Sequence, residues 1–330
     1  MMISSNNWSG IVPPQYIFSK RKFKCVVLDP PDFNPGSWIG AGDVMFDSEH
    51  EEFWMVVRHR RAPPLRGYEL GIYRSRDGEN FKLVRTLSKE ELSEMLGMNV
   101  YSVEGVQLLK DPLTDKYMLF VSIDVGGAWD TLLITSDYPS EEWISKGIVL
   151  RHSERGFDSR EARDPVIGVV DGLFIALYRA CNGKKCNTGL AVSNDGVNWR
   201  KLGVPNVDGS PQPSYMQLCG SIFAGSMGAI YMGLVRRRVV NGCGIADTFE
   251  AYLITRDGLT TLFKGKWSPR SPYEHKECPT HGYIDIVYDP LRNRVLMYVE
   301  AIDPKYTKEV GWKTQVDRWI LYEVPLDDLR

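Results

Sequence analysis

DVMFDSEHEEFWMVV (residues 43–57) and DIVYDPLRNRVLMYV (residues 285–299) are two versions of one strand–turn–strand phrase. Laid over each other, they match Asp43 to Asp285, Asp47 to Asp289, Met55 to Met297 and Val57 to Val299. Apolar residues alternate on both sides of a polar turn, the period of a strand with one face buried. Three further hairpins of this kind lie between them: VQLLKDPLTDKYMLFVS (106–122), PVIGVVDGLFIALYR (165–179) and GSIFAGSMGAIYMGLVR (220–236).

A second phrase follows each of the first four hairpins. GIYRSRDGENF (71–81) and GLAVSNDGVNW (189–199) share the pattern G-x-x-x-S-x-D-G-x-N-aromatic, and LITSDYPSEEW (133–143) and LITRDGLTTLF (253–263) are weaker copies. Their turn aspartates, Asp77, Asp137, Asp195 and Asp257, are spaced by 60, 58 and 62 residues. Asp-Gly between β-rich runs marks a hairpin, because glycine tolerates positive φ. Helical periodicity is nearly absent; one short helix is expected at SKEELSEML (88–96), with Ser88 as its N-cap.

Two hairpins per unit of about 60 residues, five times over, predict an all-β chain: a five-bladed β-propeller with four antiparallel strands per blade. The expected blades cover about 37–85, 101–150, 160–203, 215–265 and 281–330, with 22–28 closing the ring, and residues 1–330 form one domain. A pair of β-sandwiches is the alternative. The regular spacing and the lack of any low-complexity linker argue against it.

Composition bounds the function. A net charge of −2 gives no basic footprint for nucleic acid. No apolar run approaches the ~20 residues of a membrane span, and residues 1–14 lack the basic and apolar regions of a signal peptide. A cytoplasmic location is the expectation. The oligomeric state is open. The six cysteines form no CxxC pair, so no metal site is expected and no cofactor is implied; a calcium ion in the channel is left open. Cys181 and Cys186 flank NGKK and could bond across that hairpin, but in a cytosol they would stay thiols.

In a blade, the start of the first strand and the end of the second meet at one mouth of the central channel. The first-strand starts carry Asp43, Glu104, Asp164, Gln217 and the stretch from His281 to Asp285; the second-strand ends carry Arg58, Ser122, Arg179, Arg236 and Glu300. Carboxylates gathered in a confined space suit glycosidic cleavage, in which one acid protonates the leaving oxygen and another activates water or attacks. Ion pairs that merely pin the blades are the structural alternative.

The layout resembles the five-bladed propeller glycosidases of families 43, 32 and 130. Families 43 and 32 take three acids from the innermost strands of their first three blades, where this chain has Asp43, Glu104 and Asp164, although in the order Asp, Glu, Asp rather than Asp, Asp, Glu. ARDPV (162–166) resembles the Arg-Asp-Pro motif of family 32, and HKECP (275–279) its Glu-Cys motif, displaced to a position before the last blade. NPG (34–36) and the repeated arginine of WMVVRHR and FIALYR resemble family 130, whose arginines receive phosphate.

The resemblance implies a glycoside hydrolase, a remote branch of this superfamily, with an inverting mechanism and a carbohydrate partner. Glu104 would be the general acid, its pKa raised by neighbouring acids. Asp43 would be the base, and Asp164 would tune both. Trp38, Arg58, Arg163, Arg179, Arg236, Glu277, His281, Asp285 and Glu300 would bind substrate, with Trp38 and Trp129 as stacking surfaces. A phosphorylase using arginine-held phosphate and a non-catalytic glycan-binding propeller are the alternatives.

Overall fold

A computed structural model describes residues 12–213, 216–225, 228–236, 238–240, 243–245 and 247–327. The turn at 226–227, the start of the chain and the Cys243 side chain lie outside it. The chain is all-β, and apart from a small two-stranded sheet, Arg238–Val240 with Cys243–Ile245, its described strands form consecutive antiparallel sets of four. The first set is Trp38–Asp47, Glu52–Arg61, Arg66–Ser75 and Lys82–Ser88. The second is Ser102–Lys110, Tyr117–Asp124, Trp129–Ser136 and Ile144–Leu150. The third is Glu161–Val170, Leu173–Cys181, Cys186–Ser193 and Arg200–Gly203. The fourth is Gln217–Gly225, Gly228–Arg236, Thr248–Thr255 and Gly258–Lys266. The last is Thr280–Asp289, Arg294–Ile302 and Asp317–Pro325, beside which Lys22–Leu28 pairs antiparallel.

Each set packs its apolar face on the next. One core joins Trp54, Val56 and Leu70 of the first set to Leu119, Val121 and Leu132 of the second. Another joins Val44 and Phe53 of the first set to Leu296, Tyr298 and Trp319 of the last. The innermost strands neighbour one another in cyclic order, Trp38–Asp47 next to both Ser102–Lys110 and Thr280–Asp289.

The repeated outer phrase has a local cause. In the two strong copies, the aspartate Oδ1 accepts the N–H groups two and three residues on, Glu79 and Asn80 in one and Val197 and Asn198 in the other, at 2.7–2.9 Å. The Asn Nδ2 closes back on Oδ2 at 2.8 Å in both, and Gly78 and Gly196 take φ of 71° and 69°. The motif is a turn, with no part in the mouth. The expected helix is present at Lys89–Leu96, with Ser88 and Glu91 in a reciprocal capping box and Gly97 ending it in the left-handed region. The helix at Pro14–Lys20 was not anticipated. Cys181 and Cys186 face each other across their strands and are joined by a disulfide, which corrects the thiol reading. Cys278 is disulfide-bonded as well.

Arg294 ties the last set to the first. Its guanidinium donates to Asp289 (2.9 Å), Glu323 (2.5 Å), Glu79 (2.7 Å) and the Asp77 carbonyl (2.7 Å). Arg294→Met leaves the fully buried Asp289 without that partner. Urea unfolding should show a loss on the order of 3 kcal/mol, the cost of breaking one side of a buried ion pair. An unchanged midpoint would remove Arg294 from the seam.

Candidate active site

The innermost strands are interrupted by bulges at one level. Pairing with the second strand breaks between Gly40 and Asp43, Val103 and Val106, Arg163 and Val166, and Thr280 and Ile284. The fourth set pairs without a break from Gln217 to Gly225. A bulge re-aims the side chains of its extra residues. Here those residues are Ala41 and Gly42, Glu104 and Gly105, Asp164 and Pro165, and His281 to Tyr283. Ala41 and Asp164 hold φ of 48° and 50°, uncommon for side chains of their kind. The residue matching Glu104 and Asp164 in the first set is therefore Ala41. Asp43 stands two residues deeper.

That depth changes the reading of Asp43. Its oxygens accept Gln107 Nε2 (2.7 Å) and the Leu108 N–H (2.9 Å). Asp285 accepts the Val44 N–H (2.7 Å) and the Ser221 hydroxyl. Burial, reinforced for Asp43 by the nearby Asp285, pushes both carboxyls up, Asp285 to about 7. Asp43 and Asp164 do line one small cavity with Gln107, Cys219 and Tyr283. The expected base and the expected substrate ligand Asp285 are both committed to joining inner strands.

At the mouth, Glu104 sits between two arginines. Arg58 Nη1 donates to Oε2 and Arg60 Nη1 to Oε1 (2.9 Å). Burial alone would raise its pKa, but Arg58, Arg60 and Arg163 outweigh burial and hold it at about 2. The expected raised pKa is corrected: arginines, not acids, surround this carboxylate. Asp164 accepts Tyr283 OH (2.9 Å) and the Gly105 N–H (3.2 Å), and pairs with Arg163 at 3.3 Å. A methyl group on Gly105 would lie 2.7 Å from Asp164 Oδ1, so glycine is required at that approach. Arg163 and Arg179 share Glu161 Oε2 at 2.8 and 2.7 Å. Against its burial, they bring Glu161 to about 2. Arg179 Nη1 reaches Gln217 Oε1 at 2.7 Å, and Arg236 donates to the His281 carbonyl.

Beneath this layer lies Glu300, which takes Arg58 Nη2 (2.8 Å) and the Ala41 N–H (2.6 Å). Burial raises both Glu300 and its neighbour Asp317. Glu300 is fully buried, so it supports Arg58 and cannot touch substrate. Trp38 is also buried; its indole donates to the Gln315 carbonyl (2.9 Å) and its ring packs on His281 (4.4 Å) and Arg60 (4.3 Å). It is no sugar platform. Trp129, half-buried, carries Arg163 at 4.3 Å. Burial, then Arg236, Arg58, Arg60 and Arg179, keep His281 neutral. Gln315 Nε2 lies 3.1 Å from its Nδ1, which leaves Nε2 to carry the proton. Glu277 is exposed in a separate cleft with Pro272, His275 and Pro304, away from the cluster.

Sequence reading missed Arg60, Glu161, Tyr283 and Asp317. Period two was the available signal: Arg60 follows Arg58 by two, and Glu161 precedes Arg163 by two, so each shares a strand face with a residue already singled out. Among the described residues, two groups have metal-ligand proximity. Glu161 with Cys181 and Cys186 offers no thiolate, because the sulfurs are bonded. In Asp47, His50 and Glu52, the acids already take Tyr117, His50 and Arg74.

No family model matches the chain, and no curated protein matches it in sequence. Solved structures do match in shape. A family 117 glycoside hydrolase of Zobellia galactanivorans superposes with a TM-score of 0.63 at 14% identity, over 94% of this chain and 92% of that one. The chain has the fold of the propeller glycosidases. A thermostable family-43 glycoside hydrolase gives 0.60 at 12% over 86% and 88%. A β-1,2-mannobiose phosphorylase from Listeria innocua gives 0.58 at 12% over 94% and 97%. The likeness to family 43 and 130 propellers read from the sequence is thus a likeness of fold, at the identity of a remote branch.

Because Glu104 is ionised only through its arginines, its contribution to stability is present above the ordinary carboxyl pKa of 4.5 and is lost as pH falls from about 4.5 towards 2. Glu104→Gln should cost about 3–5 kcal/mol near neutral pH. It should also flatten the acid limb of a stability–pH curve measured by urea titration. A variant as stable as the parent would mean that Arg58 and Arg60 do not depend on Glu104.

Proposed function

We propose that the chain is a glycoside hydrolase working at the mouth of a five-bladed propeller, each four-stranded set being one blade and residues 1–330 one catalytic domain. The observation that carries this reading is the pair Glu104 and Asp164. They project from adjacent bulges at the same level, with Arg163 acting on both. Glycosidic cleavage asks for two carboxyls in two protonation states. Glu104, held as a carboxylate, is the general base that activates water. Asp164 is the group that passes a proton to the leaving oxygen. Asp43 leaves the chemistry and stays in the channel wall. Inversion is the outcome proposed, with the base activating a water on the face of the sugar opposite the leaving oxygen.

Phosphorolysis is the second reading. It is favoured by the arginines at the mouth and by the shared fold of a mannobiose phosphorylase. The expected cytoplasmic location gives way in this reading: disulfides at Cys181–Cys186 and at Cys278 favour an oxidising compartment. Among the described residues, no helix is long and apolar enough to cross a membrane.

The test is cleavage of a panel of aryl glycosides across a phosphate titration. Free sugar formed at a rate independent of phosphate is expected, with Asp164→Asn and Glu104→Gln each lowering kcat by ~10²-fold or more. A sugar 1-phosphate as main product would establish the phosphorylase. Binding of sugars with no turnover across the panel would leave a glycan-binding propeller.

A further inference from the structure

A cavity of about 280 Å³ lies on the third set, walled on one side by the turn 182–185. It is separate from the mouth. Cys186 and Asn187 are consecutive in the strand Cys186–Ser193, so their side chains lie on opposite faces. Cys186 faces the mouth, where its sulfur is 3.7 Å from Arg179 Nη2, and Asn187 lines the cavity.

The lining joins amides to an apolar patch. Asn182, Asn187, Asn206 and Gln212 supply the amides, and Phe157, Val204 and Pro211 the apolar surface. Among the described residues no carboxylate lines it, and its one charged group is the exposed Lys185. Asn187 is only 6% exposed. Its Nδ2 donates to the Pro213 carbonyl (3.0 Å) and to Gln212 Oε1 (3.4 Å), which fixes the way the amide points. Gln212 is pinned in turn. It donates to the Thr188 and Pro205 carbonyls at 2.9 and 3.0 Å and accepts the Thr188 N–H at 3.0 Å.

Among the described residues, nothing donates to Asn187 Oδ1, and the side-chain amide of Asn206 makes no hydrogen bond. An acceptor on a side chain buried this far costs free energy unless a donor meets it. The protein supplies none, so the donor comes from whatever fills the cavity. Water answers the oxygen but not the apolar side. The wall is also set in advance. The Cys181–Cys186 disulfide closes the turn, and Asn182 Oδ1 accepts the N–H groups of Lys184 and Lys185 at 3.0 and 2.9 Å. A wall held in this way needs little ordering when a ligand arrives.

We infer that this cavity binds one neutral sugar unit of a glycan. Sugar hydroxyls both donate and accept, and carboxamides offer both in return. The C–H face of a sugar ring suits Phe157 and its apolar neighbours. The volume is that of one ring, at the lower end of the roughly 300–1,000 Å³ of small-molecule sites. An acidic sugar would find only Lys185, and one exposed cation contributes little. The inference goes beyond the hydrolase reading and stands whether or not the mouth cleaves glycosides.

The experiment is nuclear magnetic resonance of the full chain, reading the side-chain amides of Asn187, Asn206 and Gln212. The ligands are free glucose, galactose, mannose, xylose and arabinose, beside glucuronate and galacturonate. A single sugar should bind with a Kd of roughly 1 mM, and at least one neutral sugar should move the three signals to saturation. Asn206→Ala removes an amide without a partner among the described residues. It should weaken that binding five-fold or more and leave the Tm unchanged. The Gln217 amide, at the mouth, is the internal control. No saturable shift up to ~100 mM, about a hundred times that Kd, would overturn the inference. So would shifts confined to Gln217, a uronate binding more tightly than every neutral sugar, or an Asn206→Ala chain that binds like the parent. Saturation at the cavity with no glycoside cleaved would sink the hydrolase and leave this site standing. Cleavage with the cavity amides silent would do the reverse.

Discussion

Apart from single parallel pairs at their starts, Trp38 with Asp317 and Glu161 with Trp129, the first strands of the sets are edges. One side pairs with the second strand; the other faces the channel, where its N–H groups must find acceptors or carry the cost of burial without them. The structure answers with side chains from the neighbouring first strand. Asp285 accepts from Val44, Asp43 from Leu108, Gln107 from Ile167 at 3.2 Å, and Ser221 from Ile286 at 2.8 Å. Gln107 links two of these steps, because its Nε2 donates to Asp43. Ser221 does the same, because its hydroxyl donates to Asp285. Between the third and fourth sets, Gln217 reaches Asp164 at 3.4 Å. This belt of polar ties holds the inner strands around the channel, and the bulges can then turn their side chains to the mouth above it.

The belt also explains why acids stand in the wall of the channel. A carboxylate offers several lone pairs and can serve a backbone N–H and a side chain together, which an aliphatic residue cannot. Its burial has a price in pKa, visible in Asp43 and Asp285. Above the belt, the opposite rule applies. Glu104 is buried and Glu161 partly so, but two or three guanidinium groups overcome that burial and pull them to about 2. Two layers of acids, a few residues apart along the strands, thus differ in charge state because one is surrounded by amides and hydroxyls and the other by arginines.

Much of this was legible in the sequence. The hairpin phrases locate the inner pairs, as Asp43↔Val56 and Asp285↔Tyr298 show, and the Asp-Gly turns locate the outer ones. Arg58, Arg163, Arg179 and Arg236 were found because second-strand ends and first-strand starts converge at one mouth. What failed was register. Asp43, Glu104 and Asp164 look equivalent by spacing, but a bulge adds residues on one strand only, and no compositional signal marks Ala41 as the true counterpart of Glu104. Exposure failed too. Trp38 and Glu300 occupy the right positions along their strands but lie beneath the layer that meets solvent. Glu277 was placed by a motif likeness alone, and its loop leads elsewhere.

The arginines then set a condition on the chemistry. A general acid has to hold a proton at the working pH, and Glu104, which faces Arg58, Arg60 and Arg163, is held as a carboxylate in the free protein. Compensating Arg163 is the direct way to relax this, because Arg163 bears on both Glu104 and Asp164. A ligand oxyanion on Arg163 and Arg179 would supply that compensation. It would leave Glu104 held by its two remaining arginines and would weaken the one ion pair that Asp164 makes among the described residues.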